Sequence, residues 1–311
     1  MKPAVITILG PTASGKTALA VRLAKKLGSV VISGDAFQVY RGMDIGTAKV
    51  TPEEAQGVPH ELVDILDPEE PYSAARFCEL ASAVIQRENA KGKIPILAGG
   101  TGLYIQSLLE GYEFLPKGEG RKGKWQAFYK EQGMEGLVRE IRKRDEQRAV
   151  PLDPQRCIRL LEVLDMGVEK PEPGKRGKLI YSGPVIGLAM DRAWLYERIN
   201  ERVRVMIARG LLEEVRSLLA AGVPEDAQSM RGIGYKEMIP AVKGDISLEE
   251  AEALIQRNTR RFAKRQLTWY RRMPYIQWFE RQRGEKEETF AAAVEHDVVT
   301  KIRGESEWKE R

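Results

Sequence analysis

Gly10-Pro11-Thr12-Ala13-Ser14-Gly15-Lys16-Thr17 is the stretch on which the fold of this chain turns. It fits the phosphate-binding pattern G-x-x-x-x-G-K-[ST] at every fixed position. The apolar run Val5-Ile6-Thr7-Ile8-Leu9 before it predicts a buried strand. Residues 17–27 after it predict a helix, with Leu19, Leu23 and Leu27 on one face and Gly28 as the stop. Glycines let the backbone close around phosphate oxygens, and the helix N-terminus points its free N–H groups at the anion. Lys16 adds a compact positive charge, and Thr17 offers a hydroxyl suited to Mg²⁺. A glycine-rich turn that binds nothing has no need of this strand–loop–helix frame. The loop specifies a diphosphate or triphosphate and leaves the chemistry open.

Working outward, Val30-Val31-Ile32-Ser33 reads as a second buried strand that delivers Asp35. Ligands of open α/β sheets sit beyond the carboxyl ends of the strands. Asp35 is therefore a candidate general base or Mg²⁺ ligand, with helix capping as the plain alternative. His60–Leu66 predicts a third strand, Ser73 to about Ala90 a helix, and Ile94–Ala98 a fourth strand opening into Gly99-Gly100-Thr101-Gly102. The alternation of strand and helix predicts a parallel, doubly wound sheet: an α/β, P-loop NTPase-like core flanked by helices.

The rhythm changes after that turn. Residues 116–124 are glycine-rich and charged and predict a loop. Helical patterns follow at 125–131 and 134–147, and Asp153-Pro154 opens another helix. Residues 168–178 again predict loop. Residues 116–182 thus read as a helical insertion, and 1–115 with 183–311 as the core. Pro184–Met190 predicts a fifth strand, Asp191 a helix cap, Leu211–Ala221 a helix, 231–236 a short basic turn, and Ser247-Leu248-Glu249-Glu250 a capping box opening a helix to about Arg272. The tail, 280–311, predicts an amphipathic helix through Phe290, Val294, Val298 and Ile302, with no chemistry assigned to it.

With a net charge of +5, the position of the charges matters more than their sum. Residues 256–272 hold seven Arg or Lys and no acid. Arg257, Arg261, Lys264 and Arg265 share a helix face, with Trp269 and Tyr270 among them, a combination that suits a nucleic-acid backbone and exposed bases. A solvated face would mix both signs. Cys78 and Cys157 are too few for a disulfide framework or a four-cysteine zinc site, and His60 and His296 lack metal-ligand spacing. No run is apolar enough to span a membrane. A cytoplasmic, monomeric protein without membrane partners is expected.

Taken together the motifs are similar to those of one family, the tRNA dimethylallyltransferases (isopentenyl-diphosphate:tRNA transferases). The resemblance rests on residues 10–17, Ser-Gly-Asp-Ala-Phe-Gln-Val-Tyr-Arg at 33–41, Asp-Ile-Gly-Thr-Ala-Lys at 44–49, and Gly-Gly-Thr-Gly-Leu-Tyr at 99–104. Asp191-Arg192 with Arg198-Ile199 and Arg202, Gly-Tyr-Lys-Glu at 234–237, and Ala-Lys-Arg-Gln-Leu-Thr-Trp at 263–269 extend it over most of the chain. The absence of a C-terminal cysteine cluster favours the bacterial type.

The resemblance implies that dimethylallyl diphosphate gives its five-carbon group to N6 of the adenosine just 3′ of a tRNA anticodon, with release of diphosphate. It implies that Gly10, Pro11, Thr12, Ala13, Ser14, Gly15, Lys16 and Thr17 hold the diphosphate, with Mg²⁺ at Thr17 and Arg202 as a further cation. Asp35 is then the base, and Thr101 positions Asp35 or the adenine. The tRNA anticodon stem-loop is expected at Asp35, Ala36, Phe37 and Gln38, at Gln155, Arg156, Cys157, Ile158 and Arg159, and at Arg231, Gly232, Ile233, Gly234, Tyr235 and Lys236. Arg257, Arg261 and Lys264 add the basic helix face. Base flipping would carry the adenine to Asp35. A small-molecule kinase with a P-loop, and an RNA-binding ATPase switch, stay open as alternatives.

Overall fold

The computed structural model describes residues 2–114, 121–167 and 177–307. Among them the elements run β1 (Ile6–Leu9), α1 (Lys16–Leu27), β2 (Val31–Ser33), α2 (Pro52–Ala55), β3 (His60–Glu61), α3 (Ala74–Ala90), β4 (Ile96–Gly99), α4 (Gly102–Glu110), α5 (Arg121–Arg144) and α6 (Pro154–Asp165). They continue as β5 (Val185–Met190), α7 (Arg192–Ala208), α8 (Leu211–Ala220), α9 (Tyr235–Lys243), α10 (Leu248–Tyr270), β6 (Gln277–Arg281) and α11 (Glu287–Glu307). The chain divides into two compact units, residues 1–111 with 177–311, and residues 112–176.

The first unit is built on a six-stranded sheet in the order β3-β2-β4-β1-β5-β6, and every pairing is parallel. Both faces of a parallel sheet need covering, which explains the unbroken apolar runs read in the sequence. Leu9, Ile32, Leu97 and Val185 enter one core with Phe77 of α3, Ile105 of α4 and Tyr270 of α10. Ile6, Ile8, Val31, Ile96 and Ile186 enter the other, against Leu19 and Leu23 of α1 and Phe290, Val294 and Val298 of α11. The tail helix is therefore part of the core and packs behind the phosphate loop.

The register fixes the site. Leu9 lies beside Gly99, and Ser33 beside Ala98, so β1, β4 and β2 end together. Gly34 and Gly99 are in backbone contact, and a Cβ on Gly99 would stand 2.4 Å from Gly34 O. Gly34 N–H donates to Ala98 O (2.8 Å), and Thr101 N–H donates to Gly34 O (3.2 Å).

Several expectations change. The third strand is only His60–Glu61, because Leu62 and Asp64 take positive φ (63° and 55°) and turn the chain. Residues 121–124 belong to α5, not to a loop; residues 116–120 and 168–176 of the two expected loops lie outside the described residues. The expected helices at 125–131 and 134–147 are the two halves of α5, broken at Gly133 (φ 62°, ψ −164°). Residues 235–236 of the expected basic turn open α9, and β6 occupies a stretch left mostly unread. Residues 177–182, placed by sequence in the insertion, belong to the first unit, and residues 112–114, placed in the core, belong to the second.

The second unit has its own core of Trp125, Leu137, Ile141, Cys157, Ile158 and Leu161. Asp153 caps α6 by accepting Arg156 N–H (3.0 Å), and Trp125 Nε1 donates to Asp165 (2.8 Å).

The glycine contact yields a test. Gly99→Ala overpacks it and is expected to cost about 1–3 kcal/mol, read as a lower midpoint of thermal unfolding. Gly123→Ala, where a Cβ meets only open space, should leave the midpoint unchanged or raise it slightly.

Candidate active site

Three strand ends and three later helices, α7, α10 and α11, line a cavity of about 1340 Å³. Its walls include residues 12–18, Asp35, Gln38, Gly99, Gly100, Arg198, Arg202 and Gln266. This is larger than most small-molecule pockets, which run from about 300 to 1,000 Å³.

The phosphate loop is held from both flanks. Gly15 takes a left-handed conformation (φ 91°) as α1 begins, and Ala13 does so within the loop (φ 65°). Lys16 Nζ donates to Pro11 O at 2.8 Å. Arg198 Nε, from α7, donates to Ala13 O at 2.9 Å. Gln266 Oε1, from α10, accepts Thr12 N–H at 3.0 Å. Ser14 Oγ is buried with no partner among the described residues, which leaves a donor for a ligand.

Lys16, Asp35 and Arg202 form one electrostatic group. Burial lowers the Lys16 pKa to about 7; Arg202 lowers it further and Asp35 opposes both. Burial raises the Asp35 carboxyl above its ordinary range, against the Phe37 and Gln38 N–H groups and the charges of Lys16 and Arg202. Burial also lowers the Arg202 pKa, with Glu54 and Asp35 opposing. A carboxylate moved towards neutrality beside two desolvated cations suits a proton acceptor next to an anion seat.

Asp35 does not cap a helix. Its Oδ1 accepts Phe37 N–H (2.8 Å) and Gln38 N–H (3.3 Å) in a turn. Gln38 acts as a strut, its amide donating to Thr47 O and Ala48 O (both 3.3 Å) while it accepts from Ser33 Oγ (2.8 Å). The 44–49 loop is anchored at its other end by Glu214, which accepts the N–H groups of Asp44, Ile45 and Gly46 and the Tyr235 hydroxyl. Tyr235 is thereby buried, as are Gly232 and Gly234, while Arg231 and Lys236 are exposed.

The basic face of α10 is real: Arg257, Arg261, Lys264 and Arg265 are all exposed. Its aromatic partners are not stacking platforms. Tyr270 is fully buried and donates to Gly100 O (2.7 Å), and Trp269 is half-buried against Gly102. In the second unit Gln155 and Arg156 are exposed, Cys157 and Ile158 are core, and Arg159 pairs with Glu162 (3.1 Å). Ala36 and Phe37 are half-buried, and Phe37 packs on Gly232.

Sequence reading missed two parts of this site. Gln266 is one, and its signal is the buried stripe that Ala263, Gln266 and Tyr270 make at helical spacing. Glu287, in the tail, lies beside Gly15 and pairs with Arg281 (2.8 Å) and Arg198 (3.6 Å). It had no local signature.

A family model described as IPP transferase matches residues 38–273. The chain is 47% identical over 290 residues to a tRNA dimethylallyltransferase of Carboxydothermus hydrogenoformans, covering 90% of this chain and 93% of that one. It is 45% identical over 304 residues to the corresponding protein of Geobacillus thermodenitrificans, covering 95% of each. The crystal structure of a full-length tRNA isopentenylpyrophosphate transferase of Bacillus halodurans matches all of both chains with a TM-score of 0.76 at 38% identity. A eukaryotic dimethylallyltransferase, crystallised acting on tRNA, matches 96% of this chain and 80% of its own with a TM-score of 0.80 at 26% identity.

The Lys16 pKa has a defined consequence. Lys16 loses its proton near pH 7 in the free fold and near 10.5 in the unfolded chain. Below pH 7 its burial cost is full, and between the two values rising pH relieves it. A bound anion draws the proton back. An alkyl diphosphate bound at about pH 8 should therefore take up close to one proton. Calorimetry in buffers of different ionisation enthalpy measures this uptake, which should vanish at about pH 6 and in Lys16→Met.

Proposed function

This chain belongs to the IPP transferase family, and from that premise we propose that it moves a dimethylallyl group from dimethylallyl diphosphate to N6 of the adenosine 3′ of a tRNA anticodon, releasing diphosphate. The observation that carries this reading is the half-buried group of Asp35, Lys16 and Arg202 at the phosphate loop.

The reaction needs three things at once. The bond from the allylic carbon to the diphosphate oxygen must weaken, the adenine nitrogen must attack that carbon, and its proton must leave. Lys16 and Arg202, with the N–H groups of the loop and Ser14 Oγ, would stabilise the charge that grows on the departing diphosphate. Asp35 would accept a hydrogen bond from N6 and then its proton. Burial makes it a stronger base than a surface aspartate, with the charges of Lys16 and Arg202 opposing that shift. Thr101 stands at the turn hydrogen-bonded to Gly34, one residue before Asp35, where it would orient the carboxylate or the base.

Mg²⁺ suits the donors present. Thr17 brings one hard hydroxyl oxygen to the cavity wall. No cluster of three or more His, Cys, Asp or Glu that could hold a metal exists among the described residues. Thr17 would hold the ion. When bound it would supply further neutralisation of the leaving group.

For the nucleic acid, the exposed cations Arg257, Arg261 and Lys264 on α10, with Arg231 and Lys236, would hold phosphates, and Gln155 with Arg156 would add contacts from the second unit. No helix among the described residues is long and apolar enough to cross a membrane.

Incubation with labelled dimethylallyl diphosphate, Mg²⁺ and an anticodon stem-loop RNA tests the reading, with ATP consumption followed in parallel. Label in RNA without ATP loss is expected. ATP turnover without label would replace it by a kinase or ATPase. Arg261→Glu should weaken RNA binding and flatten its dependence on salt, by about one to two phosphate contacts, without changing diphosphate affinity.

A further inference from the structure

α10 presents two faces with different chemistry. The outer face carries the exposed cations. The inner face carries Gln266, only 5% exposed, and the fully buried Tyr270. Gln266 reaches across the top of the sheet. Its Oε1 accepts Thr12 N–H of the phosphate loop (3.0 Å), and its Nε2 donates to Gly100 O at the end of β4 (2.9 Å). One turn later, Tyr270 donates its hydroxyl to the same Gly100 O (2.7 Å). The fit is tight, since a Cβ on Gly100 would stand 2.5 Å from Gln266 Nε2.

We propose that Gln266, with Tyr270 behind it, is a positioning residue for the diphosphate: it ties the phosphate loop to the Gly99–Thr101 turn and so sets the loop's open conformation. The alternatives for these backbone groups explain why such a tie is needed. Thr12 N–H, left free, would turn towards the anion or towards a loop carbonyl, and either movement changes the direction of its neighbours. Gly100 O would keep only the Tyr270 hydroxyl of its two donors. A single neutral amide satisfies both without adding charge beside the anion. A glutamate could not donate to Gly100 O, and a lysine could not accept from Thr12. The same turn reaches Asp35, because Thr101 N–H is bonded to Gly34 O. Gln266 thereby helps fix the spacing between anion seat and base.

This role rests on the prenyl-transfer reading only for the identity of the organic group, so the first probe is inorganic pyrophosphate. Gln266→Met keeps the size and removes both hydrogen bonds. Titrated by calorimetry into the full-length protein without RNA, pyrophosphate should bind Gln266→Met about tenfold more weakly than the unaltered protein. The Kd for an anticodon stem-loop should stay within about twofold. In turnover, KM for dimethylallyl diphosphate should rise about tenfold, with kcat lowered by less than about threefold. Tyr270→Phe, which loses one hydroxyl, should weaken pyrophosphate about two- to threefold. Unchanged pyrophosphate binding in both variants overturns the assignment, and so does an equal loss of pyrophosphate and RNA affinity, the mark of general loosening. Absence of prenyl transfer by the unaltered protein would strike the functional reading and leave the pyrophosphate titration as a test of Gln266.

Discussion

Gly34 and Gly99 meet backbone to backbone, and the site exists because they do. In the parallel register, β1, β4 and β2 end at one level. Without a side chain at either glycine, the turns that follow converge. The phosphate loop, Asp35 and the Gly99–Thr101 turn then share one cavity wall. A larger residue at that contact would separate the base from the anion seat even if every chemical group remained. The glycine contact is thus a constraint on catalytic geometry as much as on packing.

The convergence has an electrostatic cost. Two cations and a carboxylate lose water together, and each has its protonation shifted by that loss. The free site is poorly compensated, and an incoming diphosphate supplies the missing charge. This is the balance expected of a binding site rather than of a structural ion pair, which would be satisfied without a ligand. Hydrogen bonds to the backbone of the phosphate loop offset part of the cost. Gln266, Arg198 and Lys16 occupy backbone groups of the phosphate loop.

Local signals were legible in the sequence, and distant pairings were not. The phosphate loop, the apolar strands and the caps at Ser73, Asp153, Asp191 and Ser247 each announce themselves within a few residues, and the structure has them. The candidate base was legible because a strand end beside a phosphate loop is a place, not only a residue. The short third strand was not, because positive φ at Leu62 and Asp64 is imposed by the packing of the turn and not by residue type. Tyr270 sits in a basic run that suggests a stacking platform, but its spacing from Ala263 and Gln266 marks it as core. Glu287 could not be found from sequence, since its partners Arg198 and Arg281 come from α7 and β6 and meet it only in the folded chain.

The central claim is that Asp35 takes the proton while the phosphate loop takes the leaving charge. Asp35→Asn isolates the first half, because an asparagine keeps the oxygen that accepts from Phe37 and Gln38. The most direct measurement is single-turnover prenyl transfer by this variant, with diphosphate and RNA affinities measured on the same preparation. The account predicts a rate lower by about 10²–10⁴, with neither affinity weakened by more than about threefold. A near-normal rate with RNA affinity lost would contradict it, and would make Asp35 a tRNA contact instead of the base.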